Sequence, residues 1–169
     1  MSRRPFLLAL LLPFLAACVV TTSGAPPEAA QTPDDLGSGE VPLRVLDAGE
    51  STLALVPVMF AGRGPYLFAL DTGASNTVVD TSVADEIGLE RTGERREVSG
   101  VVGRQSVEIA RVEQWSLGPV ELGPGEVALL DLPAPEQGEG LQGLLGSDVL
   151  SGSGAVTVDY EAGVLRLDP

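Results

Sequence analysis

The sequence predicts a mainly β domain, and three observations predict it. Short apolar runs recur throughout residues 41–169, several alternating with polar residues at the two-residue period of a half-buried strand. The 21 glycines and 13 prolines interrupt these runs so often that only two short stretches carry helix signals. An apolar strand, Tyr66-Leu67-Phe68-Ala69-Leu70, enters Asp71-Thr72-Gly73-Ala74-Ser75, and a second, Thr77-Val78-Val79, leaves it. An acid is thereby held in a turn between two buried strands.

The elements follow in order. Val41 to Asp47 and Ser51 to Phe60 alternate as strands, joined by a turn at Asp47-Ala48-Gly49-Glu50. Gly62-Arg63-Gly64-Pro65 predicts a hairpin into Tyr66–Leu70. Gly73 removes the steric bar to a tight or positive-φ reversal after Asp71. Asp80-Thr81-Ser82 offers caps for a short helix, Val83 to Ile87, stopped at Gly88. A polar, charged segment follows from Arg91 to Glu97. In Val98-Ser99-Gly100-Val101-Val102-Gly103 two glycines bracket an apolar pair, which suits a mobile hairpin tip and a plain β-hairpin equally. Strands are predicted over Gln105 to Leu117, Val120 to Leu122 and Glu126 to Leu132, with a loop at Pro133 to Gly138. An apolar strand ending at Gly146 precedes a short helix containing Leu150. A last hairpin pairs Ala155–Tyr160 with Val164–Leu167.

The amino terminus has a different character. Arg3 and Arg4 precede an apolar run of about a dozen residues, Phe6 to Ala17, the pattern of a secretory signal and too short to span a bilayer. It ends in Leu15-Ala16-Ala17-Cys18, which resembles the lipobox of bacterial lipoproteins. That resemblance implies removal of residues 1–17, acylation of Cys18 and stable anchoring. Residues 18–40, rich in Thr, Ser, Pro, Gly and acids, read as a tether between anchor and domain. The expected location is the bacterial envelope. Val19 after the Cys fits the outer membrane, facing the periplasm.

Composition excludes several functions. The net charge is −14, and loss of Arg3 and Arg4 would move it to −16, so nucleic-acid binding is not expected. All ten basic residues are Arg, and there is no His. Mechanisms that need a His base are therefore closed, and the commonest transition-metal ligand is missing. Cys18 is the only Cys, so the domain can have neither an internal disulfide nor a Cys-rich zinc site. Carboxylates, hydroxyls and Arg remain, and no metal or cofactor is expected.

Taken alone, Asp71-Thr72-Gly73 is also an ordinary turn sequence. Two further features extend its meaning: the glycine-bearing hairpin Gly100–Gly103, and Gly143-Leu144-Leu145-Gly146-Ser147-Asp148-Val149-Leu150. Together the three resemble the retropepsin-like aspartic proteases over residues 41–169. The resemblance implies a single acid-protease lobe, a closed β-barrel with one or two short helices, working as a two-fold homodimer. It implies Asp71, Thr72 and Gly73 as catalytic-loop residues. Ala74, Ser75 and the Gly100-Val101-Val102-Gly103 flap would meet an extended protein or peptide substrate. Two aspartates about 3 Å apart share one proton. The ionised member then activates a water, and the other hydrogen-bonds the peptide carbonyl. The sequence departs from the family at Ser147, where an Arg often stands, so the family's Arg-based interface ion pair is not expected. Two other readings use the same residues. One is a peptide-binding envelope lipoprotein without catalysis; the other is a structural lipoprotein whose Asp71 only satisfies turn amides.

Overall fold

A computed structural model describes residues 39–48, 51–100, 103–133 and 140–168. The predicted signal peptide, Cys18, nearly all of the tether, and Val101 and Val102 lie outside the described residues. The chain is mainly β with two short helices. It begins with β1 (Glu40–Pro42), β2 (Arg44–Ala48), β3 (Ser51–Phe60) and β4 (Arg63–Leu70). After β5 (Val78–Asp80) come α1 (Thr81–Ile87), β6 (Glu90–Gly100), β7 (Gly103–Val112) and β8 (Trp115–Leu117). Then follow β9 (Val120–Leu122), β10 (Gly125–Leu130), β11 (Gly143–Leu145), α2 (Ser147–Leu150), β12 (Ala155–Asp159) and β13 (Val164–Asp168).

Two predicted strands are divided. The Val41–Asp47 run breaks at Leu43, whose N–H leaves the ladder to donate to Gly163 O at 2.7 Å. The Gln105–Leu117 run turns between Val112 and Trp115, so that Trp115 can enter the core. The polar segment Arg91–Glu97 is itself strand, within β6, antiparallel to β7. Its sequence hides this because both faces are solvated and no apolar alternation is needed. Instead Arg91 and Arg95 reach Glu108 across the pair, at 3.2 and 3.4 Å. Such exposed pairs contribute little each, but they suit a ribbon projecting from the core.

Ten strands form one sheet in the order β6-β7-β10-β5-β11-β4-β3-β8-β9, with β2 also on β3. Its end strands, β6 and β9, do not pair with each other, so the expected closed barrel is not formed among the described residues. A second sheet, β1-β13-β12, covers the open core instead. Val41 of β1 and Leu165 of β13 are fully buried in the same apolar cluster as Val56, Val58 and Phe68. Burial is achieved by laying one sheet on another, so edge closure is not needed. Within this core Phe60 stacks on Trp115 at a centroid distance of 6.0 Å. A smaller cluster of Val78, Val107, Ile109 and Ala128 ties the β6–β7 hairpin to β5 and β10.

α1 forms as its caps predict. The Asp80 carboxylate accepts from Ser82 N at 2.9 Å, and Gly88 ends the helix at φ 74°, where a Cβ would be strained.

The centre of the sheet is β11, which lies parallel to β4 and antiparallel to β5. It therefore separates the two strands that flank Asp71. Gly143 lets it fit: a Cβ there would lie 2.3 Å from the Phe68 ring, which is fully buried. Gly143→Ala is expected to destabilise the fold by about 1–3 kcal/mol through overpacking. Urea unfolding measures it, and an unchanged midpoint would contradict the wedge.

Candidate active site

Asp71 follows directly on β4, and its N–H continues the ladder to Leu145 O at 3.0 Å. The chain then turns at once. Asp71 O accepts from Ala74 N at 3.2 Å, and Asp71 Oδ1 accepts from Gly73 N at 3.0 Å and Ala74 N at 3.1 Å. One carboxylate oxygen is thus fixed by its own loop. Asp71 Oδ2 accepts no hydrogen bond among the described residues. The side chain is half-buried, between exposed Thr72 and Gly73 on one side and the sheet on the other.

Gly73 is needed for closeness and not for a positive φ. Its backbone is outside the left-handed region, but a Cβ would come within 3.3 Å of Asp71 Oδ1. Of the two expected forms, a tight or a positive-φ reversal, the tight one is present: amide-to-carboxylate contact two residues apart leaves little room for a side chain.

α2 secures the loop from below. Ala74 O accepts from both Ser147 N at 2.9 Å and Ser147 Oγ at 3.0 Å. Ser147 is thus spent on the loop itself. Thr77, fully buried, holds the exit. Its hydroxyl donates to Asp148 Oδ1 at 2.8 Å and accepts from Gly146 N at 3.0 Å. Its N–H donates to Asp148 Oδ2 at 2.9 Å. Gly146 is constrained as Gly143 is: a Cβ would lie 2.6 Å from the Asn76 carbonyl carbon. No buried side-chain polar atom lacks a partner among the described residues.

A third clamp sits at the start of β11. Leu67 N donates to Gln142 Oε1 at 2.8 Å, Gln142 N to Leu67 O at 3.0 Å, and Asp80 N to Gln142 O at 3.0 Å. Asp80 in turn accepts from Leu132 N at 2.8 Å and from the Ser82 hydroxyl. Burial pushes the Asp80 carboxyl up, but the Ser82 hydroxyl and the backbone donors outweigh it and hold it below its ordinary value.

Of the predicted site residues, the structure brings Asp71, Thr72, Gly73, Ala74 and Ser75 together in one loop, with Thr72 and Ser75 exposed. Gly100 and Gly103 face each other as the last pair of the β6–β7 ribbon, and Val101 and Val102 between them lie outside the described residues. The half-buried Val98, two residues from Gly100, packs with Leu130, Leu132 and Leu144 against the cluster of Val78, Val107, Ile109 and Ala128. The roles of Thr77 and Gln142, and the second role of the Asp80 cap in holding Leu132, escaped sequence reading. Their partners lie 52 to 75 residues away, and the only local signal is a polar residue at the end of an apolar run.

Comparison with known proteins bears on this geometry. Residues 56–149, from β3 to α2, match a family model described as aspartyl protease. No match was found among curated proteins. Among solved structures, the chain is similar to a retropepsin-like aspartic protease from Rickettsia conorii, at 16% identity and TM-score 0.48. That likeness covers 75% of this chain and 91% of the other. It is also similar to the retroviral protease-like domain of Ddi1 from Leishmania major, at 18% identity, TM-score 0.45, and coverages of 69% and 88%. A third is the EIAV protease complexed with the inhibitor HBY-793, at 22% identity, TM-score 0.44, and coverages of 63% and 91%.

Thr77→Val keeps the buried shape but strands Gly146 N–H and removes a donor from Asp148. A loss of about 1–3 kcal/mol in denaturant unfolding is expected. Stability equal to the parent would show that the loop is held elsewhere.

Proposed function

This chain belongs to the aspartyl protease family, and we propose that it works as a homodimeric endopeptidase with Asp71 and its counterpart from a second copy as the reacting pair. The observation that carries the proposal is the state of Asp71. One oxygen is fixed by Gly73 and Ala74 amides, the other is unpartnered, and the loop presents it beside exposed Thr72 and Gly73. The sequence contains no second Asp-Thr-Gly or Asp-Ser-Gly. A two-carboxylate reaction therefore needs two chains, related by a two-fold axis that brings identical loops together.

In that arrangement like charges at close range prevent both carboxyls from ionising, and the pair holds one proton between them. The ionised member takes a proton from water as the water attacks the peptide carbonyl. The protonated member hydrogen-bonds the developing oxyanion. The rigid loop supplies the preorganisation: Asp71 does not have to seek its rotamer when substrate arrives. Thr72, exposed and without a hydrogen bond of its own among the described residues, is placed to bond across the axis. Ala74 and Ser75 border the substrate path. The Gly100–Gly103 end of the ribbon closes over it, with Leu130, Leu132 and Leu144 receiving apolar side chains of an extended peptide. None of these steps uses His, Cys or a metal, in keeping with the composition.

The proposal extends to location. With Cys18 acylated, the domain works at a bacterial envelope membrane, from the outer membrane into the periplasm. Anchoring in one leaflet raises the effective concentration of the two halves, so even a weak dimer assembles there.

Asp71→Asn is expected to lower peptide cleavage at least about a thousandfold while leaving the fold intact. Below the dimer dissociation constant, wild-type activity should rise with the square of protein concentration. Activity that persists in the variant, or that is linear in a strictly monomeric protein, would sink the two-chain mechanism. A well-formed dimer that cuts nothing would favour peptide binding without catalysis. For location, Cys18→Ser should move the protein from the membrane fraction to the soluble fraction of cells producing it; unchanged partition would remove the anchor.

A further inference from the structure

Away from Asp71 the molecule carries a groove of about 650 Å³. Trp115, Leu122, Val149 and Leu167 provide apolar lining, with Trp115 fixed by an indole hydrogen bond to Gly123 O at 2.7 Å. At Asn76 the groove meets the loop that carries Asp71, and at Arg96 it meets the β6–β7 ribbon. It therefore touches the catalytic loop and the ribbon without including Asp71.

The charges around the groove are unequal. Arg96 is its one cation, and that charge is already matched by Glu126 at 2.5 Å and Glu94 at 3.2 Å. Asp148 is occupied with Thr77. Glu121 and Asp168, both exposed, have no ion-pair partner among the described residues. An apolar floor thus lies under two uncompensated carboxylates.

We propose that this groove docks a stretch of polypeptide in which an apolar side chain is flanked by Lys or Arg, a part of the protein substrate remote from the bond that is cut. This deepens the protease reading and rests on it for the word substrate. Charge complementarity selects the occupant: apolar burial holds the central side chain while the flanking cations meet Glu121 and Asp168. The chain's own upstream segment fits poorly, since residues 19–38 contain Glu28, Asp34 and Asp35 and no Lys or Arg. A second copy, at net charge −14, brings mostly the same sign.

The test uses the full chain carrying Asp71→Asn, so that a bound peptide stays whole, and the probe acetyl-Arg-Leu-Lys-Leu-Arg-amide. Trp115, the only Trp, reports from the groove wall by its fluorescence. A saturable change is expected, weakened by added salt and about fivefold weaker with Glu121→Gln and Asp168→Asn together. The charge-reversed peptide acetyl-Glu-Leu-Glu-Leu-Glu-amide should give no saturable change. Equal binding of the two peptides, indifference to the double substitution, or no saturable change with either would overturn the proposal. So would competition by rising protein concentration, which would make a second copy the occupant. The two readings can fail separately. Wild-type protein that binds the basic peptide through Glu121 and Asp168 but cuts no peptide would remove the protease and keep the groove. Wild-type protein that cuts basic-flanked and neutral-flanked peptides with equal kcat/KM, unaffected by the double substitution, would remove the groove alone.

Discussion

The structure depends on a short strand inserted between two others. β11 has three residues, yet it bonds to β4 on one side and β5 on the other, and so it sets the gap across which the Asp71 loop must turn. Because the gap is set by hydrogen-bonded ladders, the loop has little freedom. Its first N–H belongs to Leu145 O, and its last buried residue, Thr77, belongs to Asp148 and Gly146. Two glycines permit the insertion, one against the Phe68 ring and one against the Asn76 backbone. A side chain at either position would push the wedge out and loosen the carboxylate it supports.

This arrangement explains how an acid can stand at the end of an apolar strand at modest cost. Burying a carboxylate without partners is expensive, and Asp71 limits that cost by keeping one oxygen on amides while the residue is only half-buried. Asp148 does the opposite. Both of its oxygens accept hydrogen bonds from Thr77, so it holds structure and is not free for chemistry. The two aspartates differ little in type but have been separated in role by their surroundings. Asp80 is a third case, an N-cap whose second oxygen also holds Leu132 and so joins α1 to the segment after β10.

The outer half of the molecule follows other rules. The β6–β7 ribbon is charged on its exposed positions, and Arg91 and Arg95 pair with Glu108 across its strands. Val98, Val107 and Ile109 are among its apolar residues, and their packing joins it to β5 and hence to the loop exit at Thr77. In a protein with this excess of acid, Arg63, Arg91, Arg95, Arg96 and Arg166 all stand in ion pairs. That leaves the negative surface largely unbalanced elsewhere, at Glu121 and Asp168 among other places.

Much of this was legible in the residue order. The β3 strand, the caps of α1, the Asp71 turn and the final hairpin all announce themselves through local chemistry: alternation, capping residues, a glycine where the chain must reverse. The exclusion of His and Cys chemistry from the domain is also a property of composition alone. β6 was not legible, because a strand solvated on both faces needs no apolar period. Nor was the open sheet, because whether edges close or are covered depends on where β1, β12 and β13 come to rest. The Thr77–Asp148–Gly146 network and the Gly143–Phe68 contact are likewise decisions of the tertiary structure. Each is a short-range contact between residues about 70 apart in sequence, and hydrogen bonds and packing act across a few ångströms of space, wherever the chain has brought its parts together.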